Sequence, residues 1–117
     1  MKQTRNYHAG LAAEDSVLRE YQTAGYLLLA RRFRRLQGEI DLVLGHENGV
    51  VFVEVKKSRD FDSALSRISS AQISRIFATA SAFLETQPHG QLTDTRFDLA
   101  LVDGSGSVMI MENALHQ

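Results

Sequence analysis

Residues 38–57 read GEIDLVLGHENGVVFVEVKK. Within this segment, Asn48-Gly49 is the dipeptide most typical of a two-residue β-turn, and a strand-like run lies on each side of it. Polar and apolar residues alternate over residues 39–46, and β-branched residues dominate residues 50–57. The segment therefore predicts a β-hairpin.

The expected register of this hairpin brings together three charged side chains. With the Asn-Gly dipeptide at the centre of the turn, Asp41 lies opposite Lys56 and Val43 lies opposite Glu54. Asp41, Glu54 and Lys56 then share one face, where opposed Cβ atoms are about 5 Å apart. The two carboxylates should converge on one cation beside the Lys56 ammonium. The other face is expected to be apolar and to consist of Ile40, Leu42, Leu44, Val51, Val53 and Val55.

The flanking sequence supplies the rest of an α/β fold. Helical spacing extends from about residue 9 to 24 and again from about 63 to 86, and residues 26–35 are typical of an extended segment. Two more strands are predicted over residues 96–102 and 107–111. The element order α-β-β-β-α-β-β predicts a mixed central sheet of five strands with helices packed on its faces.

Composition excludes several classes of protein. The 117 residues include no Cys, which excludes thiolate zinc sites, disulfide frameworks and cysteine nucleophiles. We expect a single domain over residues 1–117, without a signal peptide or a membrane span, in the cytoplasm. Thirteen basic and fourteen acidic side chains give a net charge of −1, but residues 1–59 carry ten basic and seven acidic groups, a balance of +3. The basic half is the half with the polar motifs.

Two polar residues interrupt apolar patterns, and two more are expected to have no part in the chemistry. Glu14 falls near the centre of the apolar stripe of the first predicted helix, so its carboxylate needs a cation, a metal or a proton as partner. Gln72 interrupts the stripe of the second helix and needs hydrogen-bonding partners if it is buried. Asp98 is expected to be structural, either paired with Arg96 or capping a neighbour, whereas Glu39, at the entry of its strand, is expected to be solvated.

The acidic residues favour a hard cation. Carboxylate ligands without His or Cys suit Mg²⁺ or Mn²⁺, and substrate phosphate usually completes the coordination of Mg²⁺. In phosphodiester cleavage such an ion polarises a phosphoryl oxygen and acidifies a water molecule. Lys56 would orient that water or stabilise charge on phosphorus, and Gln72 would hold the water or a phosphate oxygen.

A group of cations around the hairpin predicts contacts with nucleic-acid phosphates. The alternative is that the arginines protect an edge strand from pairing or form ion pairs with acidic residues. The cations are Arg31, Arg32, Arg34, Arg35, Lys57 and Arg59.

Four motifs carry a resemblance to a known family. They are Gly10-x-x-x-Glu14, Gly38-Glu39-Ile40-Asp41-Leu42-Val43, Val51-Phe52-Val53-Glu54-Val55-Lys56 and Arg96-Phe97-Asp98. Together they resemble the YraN-like family of small uncharacterised bacterial proteins. That family is similar in fold to the restriction-endonuclease-like, or PD-(D/E)xK, superfamily, which includes archaeal Holliday junction resolvases.

The resemblance implies a metal and catalytic set and a reaction. The set is Glu14, Asp41, Glu54 and Lys56, and Gln72 occupies the place where relatives often carry Lys. The implied activity is that of a Mg²⁺-dependent endonuclease acting on DNA, including branched or junction structures. Paired cuts in two strands would favour a homodimer. Two alternatives stay open, namely a module with the nuclease fold that binds nucleic acid or protein without turnover, and a purely structural interaction protein.

Overall fold

The computed structural model describes the backbone of residues 2–117 and the side chains of residues 10–117. Three helices, five strands and a 3₁₀ turn at Gly90–Leu92 make up the described chain. In chain order the helices and strands are α1 (Lys2–Thr23), β1 (Leu27–Arg35), β2 (Gly38–His46), β3 (Gly49–Lys57), α2 (Phe61–Leu65), α3 (Ser70–Leu84), β4 (Thr95–Val102) and β5 (Val108–Met111).

The five strands form one mixed sheet in the order β1-β2-β3-β4-β5. Neighbouring strands are antiparallel except for β3 and β4, which run parallel from Val50↔Thr95 to Lys57↔Val102. A parallel pair needs a crossover connection, and α2 and α3 lie in that connection. The predicted mixed α/β fold with a five-stranded sheet flanked by helices is confirmed.

Each face of the sheet is covered by a helix. On one face α1 packs through Ala13, Val17 and Tyr21, and on the other α3 packs through Ile76, Ala80 and Phe83. The α1 face of the sheet carries Leu42, Leu44, Val51, Val53, Ala100 and Val102. The α3 face carries Ile40, Val43, Val50, Phe52, Leu99 and Leu101. Both faces of the sheet are therefore largely apolar.

The predicted helix over residues 63–86 is wrong in one respect, because the segment forms two helices. Asp60 begins α2 by accepting a hydrogen bond from the Ser63 amide, and Ser69 begins α3 by accepting one from the Gln72 amide. Two side-chain caps within ten residues favour a break, since each cap satisfies amides that a continuous helix would bond internally. The first helix also begins earlier than predicted, at Lys2.

The predicted hairpin register is wrong by two residues. His46 pairs with Gly49, so Glu47 and Asn48 form the turn, and Glu47 adopts a positive φ of 55°. Gly49 lies outside the turn, at a close approach of two backbone segments. A Cβ there would lie 3.0 Å from the backbone oxygen of Asp94. A shift of two residues is one full repeat of strand alternation, so Glu54 and Lys56 keep their predicted face.

The alternation of β2 breaks at Asp41. The β1–β2 register steps from Arg31↔Leu42 to Phe33↔Ile40 without a pair between them, and Arg32 has a φ of 53°. Because of this irregularity, Ile40 packs on the α3 face rather than with Leu42 on the α1 face as predicted. The distortion turns Asp41 out of the regular ladder.

The described residues include no helix with both the length and the apolar character needed to span a membrane.

Candidate active site

A polar cavity of about 290 Å³ opens where β2, β3 and α3 meet. It brings together Asp41, Glu54, Lys56 and Gln72, four of the five residues predicted to form the catalytic set. Glu39 and Arg75 complete its polar lining. We call this space the acidic cavity.

The β2–β3 hairpin brings the carboxylates of Asp41 and Glu54 together. Extending the observed register by one pair beyond Leu42↔Val53 sets Asp41 opposite Glu54. Asp41 Oδ2 accepts a hydrogen bond of 2.8 Å from the backbone amide of Val55. The Asp41 side chain thus bonds to a β3 backbone group at the point where the regular ladder stops, which fixes its carboxylate beside that of Glu54.

Glu54 is the centre of the polar contacts in the acidic cavity. Its side chain is only 6% exposed, and its Oε2 lies 3.3 Å from Lys56 Nζ. The same oxygen accepts a 2.7 Å hydrogen bond from Nε2 of Gln72, a half-buried residue of α3. One ammonium and one amide therefore orient Glu54, and α3 supplies the amide.

Asp41 retains its proton more strongly than an ordinary aspartate. Burial in the cavity, followed by the charge of Glu54 and a hydrogen bond with it, raises the pKa of Asp41 from 3.8 to about 8. Two carboxylates this close favour either a shared proton or a bound cation. A divalent cation that replaces the proton relieves the same repulsion.

We expect Asp41→Asn to stabilise the protein in EDTA, and more at pH 9 than at pH 5. Between pH 3.8 and about 8 the folded state holds a proton that the unfolded state has released, so the wild type loses stability as the pH rises. Asparagine keeps an oxygen for the Val55 amide and does not ionise. Thermal unfolding at both pH values measures the difference in Tm.

The control for this measurement is Glu20→Gln, which removes an exposed carboxylate from α1. Its Tm difference from the wild type should change little between pH 5 and pH 9. A stabilisation by Asp41→Asn that is equal at both pH values would contradict the raised pKa.

Glu39 is less solvated than predicted. One of its oxygens, Oε1, is buried and has no hydrogen-bond partner among the described residues. The other, Oε2, lies 3.3 Å from Arg34 Nη2. Because Glu39 also lines the acidic cavity, a third carboxylate contributes to its negative potential.

Glu14 lies on the other face of the sheet from α3. Its buried carboxylate accepts hydrogen bonds from Arg32 Nη2 at 3.0 Å and Arg32 Nε at 3.1 Å, and from Arg31 Nε at 3.3 Å. Of the three predicted kinds of partner, a cation, a metal or a proton, the structure shows cations. The partners are guanidinium groups, and Glu14 does not line the acidic cavity with Asp41 and Glu54.

The predicted arginine run makes extensive intramolecular contacts on the edge strand β1. Arg31 also pairs with Asp15 at 2.7 Å, and Arg34 pairs with Glu39. The Arg35 guanidinium lies 4.2 Å from the centroid of the Phe33 ring. These contacts agree with the ion-pairing alternative for the run.

The other two cations predicted to bind phosphate, Lys57 and Arg59, lie apart from the arginine run on β1. Arg59 is highly exposed and pairs with Asp60 at 3.4 Å. Lys57 lines a second cavity with Glu14 and with Arg67, which the sequence analysis missed. A single Arg in the segment between two helices carries no signal that would have identified it.

The residues of the acidic cavity fit a hard divalent cation. Among residues 10–117, no three His, Asp or Glu side chains are close enough together to hold a metal ion by themselves. Mg²⁺ does not need three, because it is usually bound by one or two carboxylates and completed by water and substrate phosphate. Asp41 and Glu54 provide that number.

Comparison with known proteins identifies close relatives. A family model described as "Uncharacterised protein family UPF0102" matches residues 13–102. A UPF0102 protein of Roseobacter denitrificans is 58% identical over 95% of this chain and 86% of its own length. Similar proteins of Ruegeria pomeroyi (54% identical, 95% and 90% covered) and Cereibacter sphaeroides (50% identical, 93% and 93% covered) also align along nearly their whole length.

Proposed function

This chain belongs to the uncharacterised protein family UPF0102, and we propose that it is a Mg²⁺- or Mn²⁺-dependent endonuclease that hydrolyses phosphodiester bonds of DNA. The proposal includes a restriction-endonuclease-like classification of the mixed sheet. It also includes branched or junction DNA as a substrate, in line with the resemblance to junction resolvases.

One observation carries the proposal. Two adjacent carboxylates, Asp41 and Glu54, share an open cavity with the Lys56 ammonium, and burial raises the pKa of one of them to about 8. A buried pair of acids costs stability unless a cation joins it. Such a cost is typical of a binding or catalytic site rather than of a structural ion pair.

The residues of the acidic cavity have separate tasks. Asp41 and Glu54 would hold the cation, which when bound polarises the phosphoryl group and acidifies water. Lys56, next to Glu54, places a positive charge where negative charge develops on the phosphoryl oxygens. Gln72 holds Glu54 in place and keeps an amide oxygen available for a water proton.

Cleavage assays test the proposal directly. Linear, forked and four-way-junction DNA should be cut in Mg²⁺ or Mn²⁺ by the wild type, and not by Glu54→Ala or Lys56→Ala. Cleavage that survives both substitutions would show that a contaminating nuclease is responsible.

Metal binding has its own readout. At a metal concentration ten times Kd, Mn²⁺ should stabilise the wild type by about 1.4 kcal/mol, because it binds the folded state alone. Asp41→Asn should lose this stabilisation, as measured by thermal unfolding with and without Mn²⁺. An equal shift in both proteins would mean that the ion binds elsewhere.

One observation favours a binding module without turnover. Glu54 already has an ammonium and an amide as partners, and Glu14 is engaged by arginines instead of joining the acidic pair. In that case DNA binding should need no divalent ion and should be unaffected by Asp41→Asn. A purely structural protein would show no salt-dependent DNA binding at all.

A further inference from the structure

A second cavity, of about 430 Å³, lies beside the acidic cavity. Three residues of α1 form one wall, and the end of β3 and the segment after α2 form the other. We call it the basic cavity, and it is lined by Gly10, Ala13, Glu14, Lys56, Lys57 and Arg67.

The two cavities meet at the end of β3. Val55 and Lys56 line both of them. Because successive strand residues point to opposite faces, Lys56 reaches Glu54 on the α3 face and Lys57 points to the α1 face. A chain that passes around this end of β3 would contact both cavities.

The basic cavity has an excess of positive charge. The negative charge of Glu14 is balanced by the two guanidinium groups that bind it. Lys57 and Arg67 form no ion pair with any described residue. The net charge of the whole chain is −1, so this concentration of cations is local.

Arg67 is preorganised for an anion. Its Nη1 donates a 2.7 Å hydrogen bond to the backbone oxygen of Lys57, which anchors an otherwise exposed side chain. The guanidinium retains further N–H groups in a planar arrangement that matches phosphate oxygens. Anchoring reduces the entropy that the side chain loses when it binds a ligand.

We propose that the basic cavity binds a backbone phosphate of the DNA strand next to the phosphodiester held in the acidic cavity, with Lys57 and Arg67 as its ligands. The inference rests on the proposed function for its substrate. It moves the phosphate contact from the β1 arginines, three of which form ion pairs, to Lys57 and Arg67.

Binding of a fluorescein-labelled 20-nucleotide DNA, followed by anisotropy in Ca²⁺ and again in EDTA, tests the inference. Lys57→Ala and Arg67→Ala should each weaken binding by about five- to tenfold and lower the slope of log Kd against log salt by about 0.7 to 0.9. Arg19→Ala is the matched control, because it removes one charge from the exposed surface of α1 and should change Kd less than twofold.

A charge-neutral variant separates a phosphate site from general attraction. Gly10→Leu keeps every charge and adds bulk at a residue that lines the basic cavity, where a Cβ would lie 3.7 Å from Arg32 Nη2, so it should also weaken binding at least fivefold. Unchanged Kd in Gly10→Leu, or equal losses in Arg19→Ala and Lys57→Ala, would overturn the inference. Binding of the mononucleotide dTMP as tight as that of the oligonucleotide would also overturn it, because the ligand would then be a free phosphate.

This experiment reports separately on the two proposals. Loss of binding in Lys57→Ala and Arg67→Ala without any cleavage by the wild type would support the phosphate site and contradict the nuclease. Cleavage by the wild type with unchanged binding in both variants would support the nuclease and contradict the phosphate site.

Discussion

Glu54→Gln is expected to cleave DNA about a hundred to a thousand times more slowly than the wild type, with an unchanged fold. Glutamine removes the negative charge that would hold the proposed cation and that lies 3.3 Å from the Lys56 ammonium. A comparable loss follows the removal of one preorganised electrostatic contact at other active sites. Single-turnover cleavage with saturating enzyme measures the chemical step.

The matched control for this variant is Glu85→Gln, which neutralises an exposed carboxylate at the end of α3. Its cleavage rate should equal that of the wild type. Circular dichroism and thermal unfolding confirm that both variants are folded. A rate within tenfold of the wild type for Glu54→Gln would remove the acidic pair from the mechanism.

Asp98→Asn is expected to lower the free energy of unfolding by about 3 kcal/mol, the lower end for a broken buried ion pair. Asp98 is completely buried and accepts hydrogen bonds from Tyr21 Oη at 2.7 Å and from the Asn113 amide at 2.8 Å. Arg96 adds two bonds of 2.9 Å. Each carboxylate oxygen accepts two of these four bonds, so the NH₂ group of an asparagine would face two donors in either orientation.

Urea unfolding measures this loss, and Asp94→Asn provides the control. Asp94 is exposed, so its substitution should change the free energy of unfolding by no more than about 0.5 kcal/mol. Burial, followed by the charge of Asp98 and the hydrogen bond to it, raises the pKa of Tyr21, and the hydrogen bonds to Asp98 raise the pKa of Arg96. Equal stability of the Asp98→Asn and Asp94→Asn proteins would contradict this role.

Local patterns predict the elements of the fold well. The strand boundaries of the hairpin follow from alternation and β-branched residues, and both observed strands begin within one residue of their predictions. The register does not follow, because the Asn48-Gly49 signal gives way to a tertiary contact. Gly49 is needed because a Cβ there would lie 3.0 Å from the backbone oxygen of Asp94, and the turn moves back to Glu47.

The residues of the acidic cavity that lie on the hairpin are predictable from sequence despite the error in register. Asp41, Glu54 and Lys56 are close in sequence across one hairpin, and a shift of two residues preserves their faces. Glu14 is harder to assign. Its burial follows from helical periodicity, but its partner depends on the irregular backbone at Arg32, which no sequence pattern indicates.

The parallel pairing of β3 with β4 has a consequence for the order of folding. Each of its register pairs joins residues 45 positions apart, as Val50 and Thr95 are, whereas the β2–β3 hairpin closes over a two-residue turn. Closing the longer loop costs more entropy and slows the search for native contacts. The hairpin that carries both acids can therefore assemble first, and the docking of β4 with its buried Asp98 would be the late, rate-limiting event.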